Sequence, residues 1–310
     1  MSAGRHASLL KIDTGAGNFN VRLTLNARHE ATPADAWVFF GHGFLAAAIP
    51  DFKGSCEISG TVHVEKESAD PDNASDSLFV EISAPSLFLS DCRIAETDVP
   101  TIHVAGNPSY VPGAGTESFG ASSRAGWVQF LPYFLSHKFS VAHQRADVLF
   151  SDLNPGDYVL LPFVDDDESA EGSYRERLTR CVEEVRNRQA LPVLVTPLAE
   201  NTWEDGRYRD TRKAHAATIT AVGERSRVPV LDLHARSTAR HEQEGQDACA
   251  PLYLAEDPAQ TTARGAWFAS RIIASELRRV CGWEEGYQAL AEAVEKTALT
   301  DSDPAAALFS

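Results

Sequence analysis

The sequence predicts an α/β domain built on a parallel sheet and preceded by a β-sandwich. Two patterns predict this. The first hundred residues hold several short apolar runs of strand length without helical period. Beyond Pro100, apolar strand-length runs alternate with segments of helical period, the mark of right-handed βαβ units around a buried sheet.

In the first region Phe19, Val21, Leu23 and Leu25 alternate with polar residues, as one half-buried strand face requires. Similar runs lie at residues 37–40, 56–64, 78–82 and 87–89, with turn-forming residues such as Asp70-Pro71-Asp72-Asn73 between them. In the second region, strands are expected at residues 101–106, 157–163, 192–198 and 229–233. Residues 126–135 and 212–225 read as helical. Tyr174, Leu178, Val182 and Val185 fall on one helical face, and residues 262–280 form a long amphipathic helix. The division is then 1–99 sandwich, 100–282 α/β domain, and 283–310 a C-terminal helix with a loose tail.

Composition narrows the partners. With 28 Lys and Arg against 44 Asp and Glu, the net charge of −16 repels nucleic acid and anionic membrane alike. No apolar run approaches the roughly 20 residues of a membrane span, and residues 1–6 lack the apolar core of a signal peptide. Cys56, Cys92, Cys181, Cys249 and Cys281 are odd in number and form no CxxC pair, so reduced thiols in a cytoplasmic protein are expected, with no metal and no cofactor.

Several segments together carry a resemblance. PTIHVAG at 100–106, GWVQFLPYFL at 126–135 and LNPGDYVLLPF at 153–163 are followed by GSYRERL at 172–178 and PVLVTPLA at 192–199. VPVLDLHARS at 228–237 and the helix from Thr262 complete the series. In this order they resemble the rhamnogalacturonan acetylesterase branch of the SGNH (GDSL-type) hydrolases. The resemblance implies a three-layer α/β/α, flavodoxin-like fold, with the N-terminal region similar to the galactose-binding-like sandwich some of these esterases carry in front.

The resemblance also implies acyl-ester hydrolysis by a Ser-His-Asp triad with an oxyanion hole of Ser, Gly and Asn donors. Each position can be matched. Pro108 stands at the nucleophile position, and it has neither a hydroxyl to attack nor an N–H to donate. The Asp-x-x-His pair corresponds to Asp257-Pro258-Ala259-Gln260, where glutamine cannot accept a proton near neutral pH. Asp166 takes the place of the oxyanion-hole asparagine, an anion where a neutral donor is needed. Residues 140–143 run almost directly into 147–153, leaving no segment for the glycine donor.

The expectation is an inactive esterase fold that binds a glycan or serves as an accessory or structural subunit, alone, as a homo-oligomer or beside an active paralogue. The alternative is a hydrolase, esterase or glycosidase, with a rebuilt acidic site. The ligand-binding candidates at the carboxyl edge of the sheet are Asn107, Ser109, Asp165, Asp166, Asp167, Asp257 and Gln260, beside Glu168. Such a group suits a solvated loop, a hard-cation site or a polar sugar pocket, although the run lacks the ligand spacing of a calcium loop. Asp257 also reads as a local capping carboxylate. His42, His63, His103 and His234 read as structural, His103 pointing into the domain. Among the tryptophans only Trp203 lies in a polar loop where it could be exposed.

Overall fold

The computed structural model describes residues 7–27, 34–41, 43–65, 77–83, 87–105, 119–144, 149–162, 171–283, 285–295, 299–300 and 304–309. Seven strands come first: β1 (Ala7–Asp13), β2 (Gly17–Ala27), β3 (Ala34–Phe40), β4 (Phe44–Phe52), β5 (Ser55–Val64), β6 (Ser77–Ser83) and β7 (Leu87–Glu96). They form two antiparallel sheets, ordered β1-β6-β3-β4 and β5-β2-β7. Phe19, Val21, Leu23 and Leu25 of β2 meet Val38, Phe40, Leu78 and Val80 of the facing sheet in one apolar core.

Strand β3 is apolar at consecutive positions because both of its faces are covered. Ala36, Val38 and Phe40 enter the core between the two sheets, while Trp37 and Phe39 enter a second core with Phe119, Phe130 and Trp267. Alternation of polar and apolar residues is the pattern of a sheet wetted on one side; a run of apolar residues fits burial on both. The N-terminal region and the α/β region therefore share a core across their seam.

The α/β region is a five-stranded parallel sheet ordered β14-β11-β10-β8-β9. Its strands are β8 (Thr101–Ala105), β9 (Ser140–Gln144), β10 (Tyr158–Leu161), β11 (Leu191–Val195) and β14 (Val230–Leu231). Two small ribbons, β12 (Trp203–Glu204) with β13 (Arg207–Tyr208) and β15 (Tyr253–Leu254) with β16 (Asp257–Thr261), project from it. The helices are α1 (Trp127–Phe130), α2 (Glu171–Asn187), α3 (Lys213–Ser226), α4 (Leu233–Glu244), α5 (Gln246–Cys249), α6 (Ala263–Leu277) and α7 (Gln288–Glu292).

Strand periodicity divides the sheet's two faces. Tyr158 and Leu160 join α1 and α6 on one side, and Val159 and Leu161 join α2 and α3 on the other. The result is three layers. Strand β9 is an unforeseen edge strand: residues 140–143, expected to be connection only, pair in parallel with β8. The helix expected over 126–135 stops at Phe130 and continues as a 3₁₀ turn, Leu131–Phe134, where Pro132 removes a backbone donor. The C-terminal end is docked, not loose, in its last described residues: Phe309 is buried in the shared core. No described helix is long and apolar enough to cross a membrane.

Candidate functional site

Ligands of open α/β sheets bind outside the carboxyl ends of the strands. Here those ends are Ala105, Gln144, Leu161, Val195 and Leu231. Asn107, Pro108, Ser109, Asp165, Asp166, Asp167 and Glu168 all lie outside the described residues. Asp257 and Gln260 lie inside them, and their surroundings can be built up from the chain.

Both belong to β16, paired antiparallel with β15 through Tyr253↔Thr261 and Leu254↔Asp257. Two neighbours fix this ribbon at the carboxyl edge. Asn201, in the loop after β11, donates its N–H to Pro258 O at 2.9 Å. On the other side Ala125 donates its N–H to Thr261 O at 3.1 Å, and the Thr261 hydroxyl donates to Ala125 O at 2.6 Å. Immediately beyond, Thr262 caps α6 by accepting from Gly265 N–H at 3.3 Å. Gly265 is required there, since a Cβ at that position would stand 1.9 Å from Leu252 O.

Within this frame the Asp257 carboxylate accepts the N–H of Ala259 at 2.9 Å, a local turn contact. Asp257 and Gln260 are both half-buried. A glutamine amide there can donate and accept hydrogen bonds but cannot shuttle a proton.

A second polar cluster lies at the ends of β11 and β14. His234, in the first turn of α4, donates from Nε2 to Asp210 Oδ1 at 2.9 Å, and its N–H donates to Thr196 Oγ1 at 2.9 Å. Asp232 caps α4 by accepting from Ala235 N–H at 3.0 Å. Glu200 holds Arg212 Nε at 2.7 Å and accepts the Thr211 hydroxyl at 2.6 Å. Next to it, Trp203 is half-buried, with its Nε1–H on Asn201 Oδ1 at 2.7 Å. It packs with Tyr208 and the buried His241, so it is not the open platform the polar loop suggested. His103 and His234 each gain a carboxylate partner distant in sequence, which no local spacing could reveal.

The third cluster is at the opposite, amino edge. Asp157 accepts from Thr101 N–H at 2.8 Å, Asn154 N–H at 2.8 Å and His103 Nε2 at 3.3 Å. Burial opposes the charge on Asp157, but the three donors outweigh it and hold the carboxyl below its usual range. Asn18 ties the two regions together. Its Nδ2 donates to Val99 O at 2.7 Å, and its Oδ1 accepts from Ser140 Oγ at 2.9 Å and from His63 Nδ1 at 2.7 Å. His103 does point inward, fully buried, and belongs to this seam and not to the carboxyl edge.

No group of three or more His, Cys, Asp or Glu among the described residues is arranged to hold a metal ion. The serine–histidine side-chain contact among them, Ser59 Oγ to His137 Nε2 at 3.0 Å, lies at the seam far along the chain from the family-matched positions.

Comparison with known proteins fits this architecture. YxiM, an uncharacterized esterase of Bacillus subtilis, is 24% identical over 204 residues, covering 58% of this chain and 52% of its own length. The rhamnogalacturonan acetylesterase RhgT of Bacillus subtilis is 23% identical over 159 residues, 45% of this chain and 68% of its own. The crystal structure of YxiM superposes with a TM-score of 0.54 at 20% identity, covering 87% of this chain and 79% of that one. No family model matches the chain. The fold is similar to that of YxiM, and the sequence is similar to two esterases, which supports an SGNH hydrolase family. It spans about half the length of YxiM.

Proposed function

We propose that this chain is a non-catalytic relative of the carbohydrate esterases, which binds a glycan or acts as an accessory subunit without cleaving it. The observation that carries the proposal is Gln260. The ribbon, the Asp257 turn, the Thr262 cap and the close Gly265 contact keep the frame that precedes α6. At the position the resemblance assigns to the catalytic base, that frame presents an amide. Pro108 at the matched nucleophile position supports the same reading from the sequence. A triad enzyme without base or nucleophile keeps at most what its oxyanion hole supplies, and Asp166 would repel an oxyanion. On this reading the antiparallel sheets of residues 1–99 serve as an accessory domain.

The test is hydrolysis of p-nitrophenyl acetate, acetylated xylan and acetylated rhamnogalacturonan by the full chain, beside Ser109→Ala and Asp257→Asn. The expected rate equals the buffer blank for all three proteins. Turnover lost in either variant would reveal a displaced catalytic site. Turnover that survives both would place catalysis on other residues and equally end the proposal. Retardation of the chain in gels containing the same polysaccharides then separates a glycan holder from a purely accessory subunit.

A further inference from the structure

A cavity of about 620 Å³ opens at the seam between the N-terminal sheets and the α/β region. That volume falls in the range of small-molecule sites, which favour such junctions. Its wall is built by β4, β5, the turn before β9 and the segment at Glu295. Four aromatic rings contribute to it: Phe40, Phe44, Tyr133 and Phe139. Gly60 keeps one of them in place, because a Cβ at that position would stand 2.8 Å from the Phe40 ring and push it aside.

The polar part of the lining comes from Ser59, Thr61, Ser136, His137, Glu295 and Thr300. Glu295 is exposed at the mouth, and among the described lining residues there is no lysine or arginine. Ser59 and His137 join across one wall at 3.0 Å. The Ser136 hydroxyl oxygen is turned away from the cavity surface, buried and without a hydrogen-bond partner among the described residues.

We propose that this cavity is a binding site for an organic cation, a protonated amine carried on an apolar or aromatic body. Aromatic faces attract a cation through their quadrupole, and most strongly where water is excluded. The Glu295 carboxylate gives the charge a counter-ion at the mouth. The net charge of −16 raises the local concentration of cations and lowers that of anions. Among the described lining residues no lysine or arginine compensates an anionic ligand, and a neutral ligand leaves the carboxylate charge unpaired. This reading is independent of whether the family-matched positions are catalytic.

The experiment is calorimetric titration of the full chain with benzylammonium, benzyl alcohol, benzoate and methyl β-galactoside, at low and high salt. Benzylammonium should bind saturably, with benzyl alcohol about tenfold weaker and benzoate and the galactoside undetected. Binding should weaken with salt and fall about tenfold in Glu295→Gln, a surface change that spares the fold. Ala46→Trp, which fills the half-buried wall of the cavity, should abolish it. Equal binding of benzyl alcohol and benzylammonium would overturn the charge argument. Binding unaffected by Ala46→Trp in a folded variant would overturn the location. Absence of benzylammonium binding, or preference for the galactoside, would overturn the proposal outright.

Discussion

Phe309 lies face to face with Trp267, ring centroids 4.4 Å apart and planes at 15°. The same ring meets Trp37 edge-on at 5.2 Å and Phe130 at 5.5 Å. One residue near the C-terminus thus touches β3, α1 and α6 together, and the chain end becomes a clasp on the shared core. Aromatic pairs of these geometries add to the area they bury.

Phe309→Ala should therefore lower the unfolding free energy by about 3 kcal/mol, the cost of an aromatic cavity in a core. Urea unfolding reads this as an earlier midpoint at unchanged slope. A chain ending at residue 303 should lose a similar amount. If both unfold with the parent, the docked end contributes nothing and the clasp is wrong.

Much of this fold was legible because its determinants are local. The alternation of Phe19, Val21, Leu23 and Leu25 marks β2, and Tyr174, Leu178, Val182 and Val185 mark the buried face of α2. The double-sided burial of β3 matches the unbroken apolar run Trp37-Val38-Phe39-Phe40. What escaped depends on distant partners. Strand β9 is short and mixed in polarity, and only β8 makes it a strand. His234 with Asp210, and His103 with Asp157, join residues 24 and 54 positions apart. Of the candidate site, only Asp257 and Gln260 fall on described residues, and both sit on the β15–β16 ribbon before α6, which the sequence did not foreshadow.

Gly265 should tolerate nothing larger. A Cβ there would lie 1.9 Å from the backbone oxygen of Leu252, which cannot swing away as a side chain would. Gly265→Ala should cost about 3 kcal/mol by forcing α6 off the β15–β16 ribbon. Gly120→Ala, where a Cβ meets nothing within 4 Å, should stay within about 0.5 kcal/mol of the parent. Matching thermal midpoints for the two variants would show that the ribbon yields freely.

Acid should weaken the chain well before its carboxylates titrate. Burial pushes His63 down to about 4, with help from neighbouring His103, and burial alone pushes His143 down to about 4. Asn18 Oδ1 accepts from His63 Nδ1, which suits the neutral ring. The unfolded chain takes up these protons near pH 6.5 and the folded chain only near 4, so between those values the unfolded state binds more protons. The contribution of these two histidines is complete above about pH 6.5 and is lost as pH drops toward 4, by about 1.4 kcal/mol per pH unit for each at most. Asp157, held below its usual range despite burial, adds a loss in the same direction at still lower pH. His143→Gln should flatten the slope between pH 6 and 4.5 by about one proton in urea titrations. An unchanged slope would mean that His143 protonates equally in both states.

Removal of residues 1–98 should leave the α/β region unable to stand alone as a soluble monomer. Trp37, Phe39, Phe44, Leu45 and Ala48 come from the N-terminal sheets, yet they complete the core that holds Phe119, Phe130 and Trp267. Without them a contiguous apolar face would open beside α1, larger than monomeric proteins usually expose. The seam also carries Asn18, whose amide links Val99, Ser140 and His63, so truncation would strip partners from polar groups as well. The truncated chain should aggregate or bind a hydrophobic dye strongly, whereas the full chain should not. A soluble, dye-silent, cooperatively unfolding fragment would show instead that the two regions are independent domains, and that the shared core is only a contact between them.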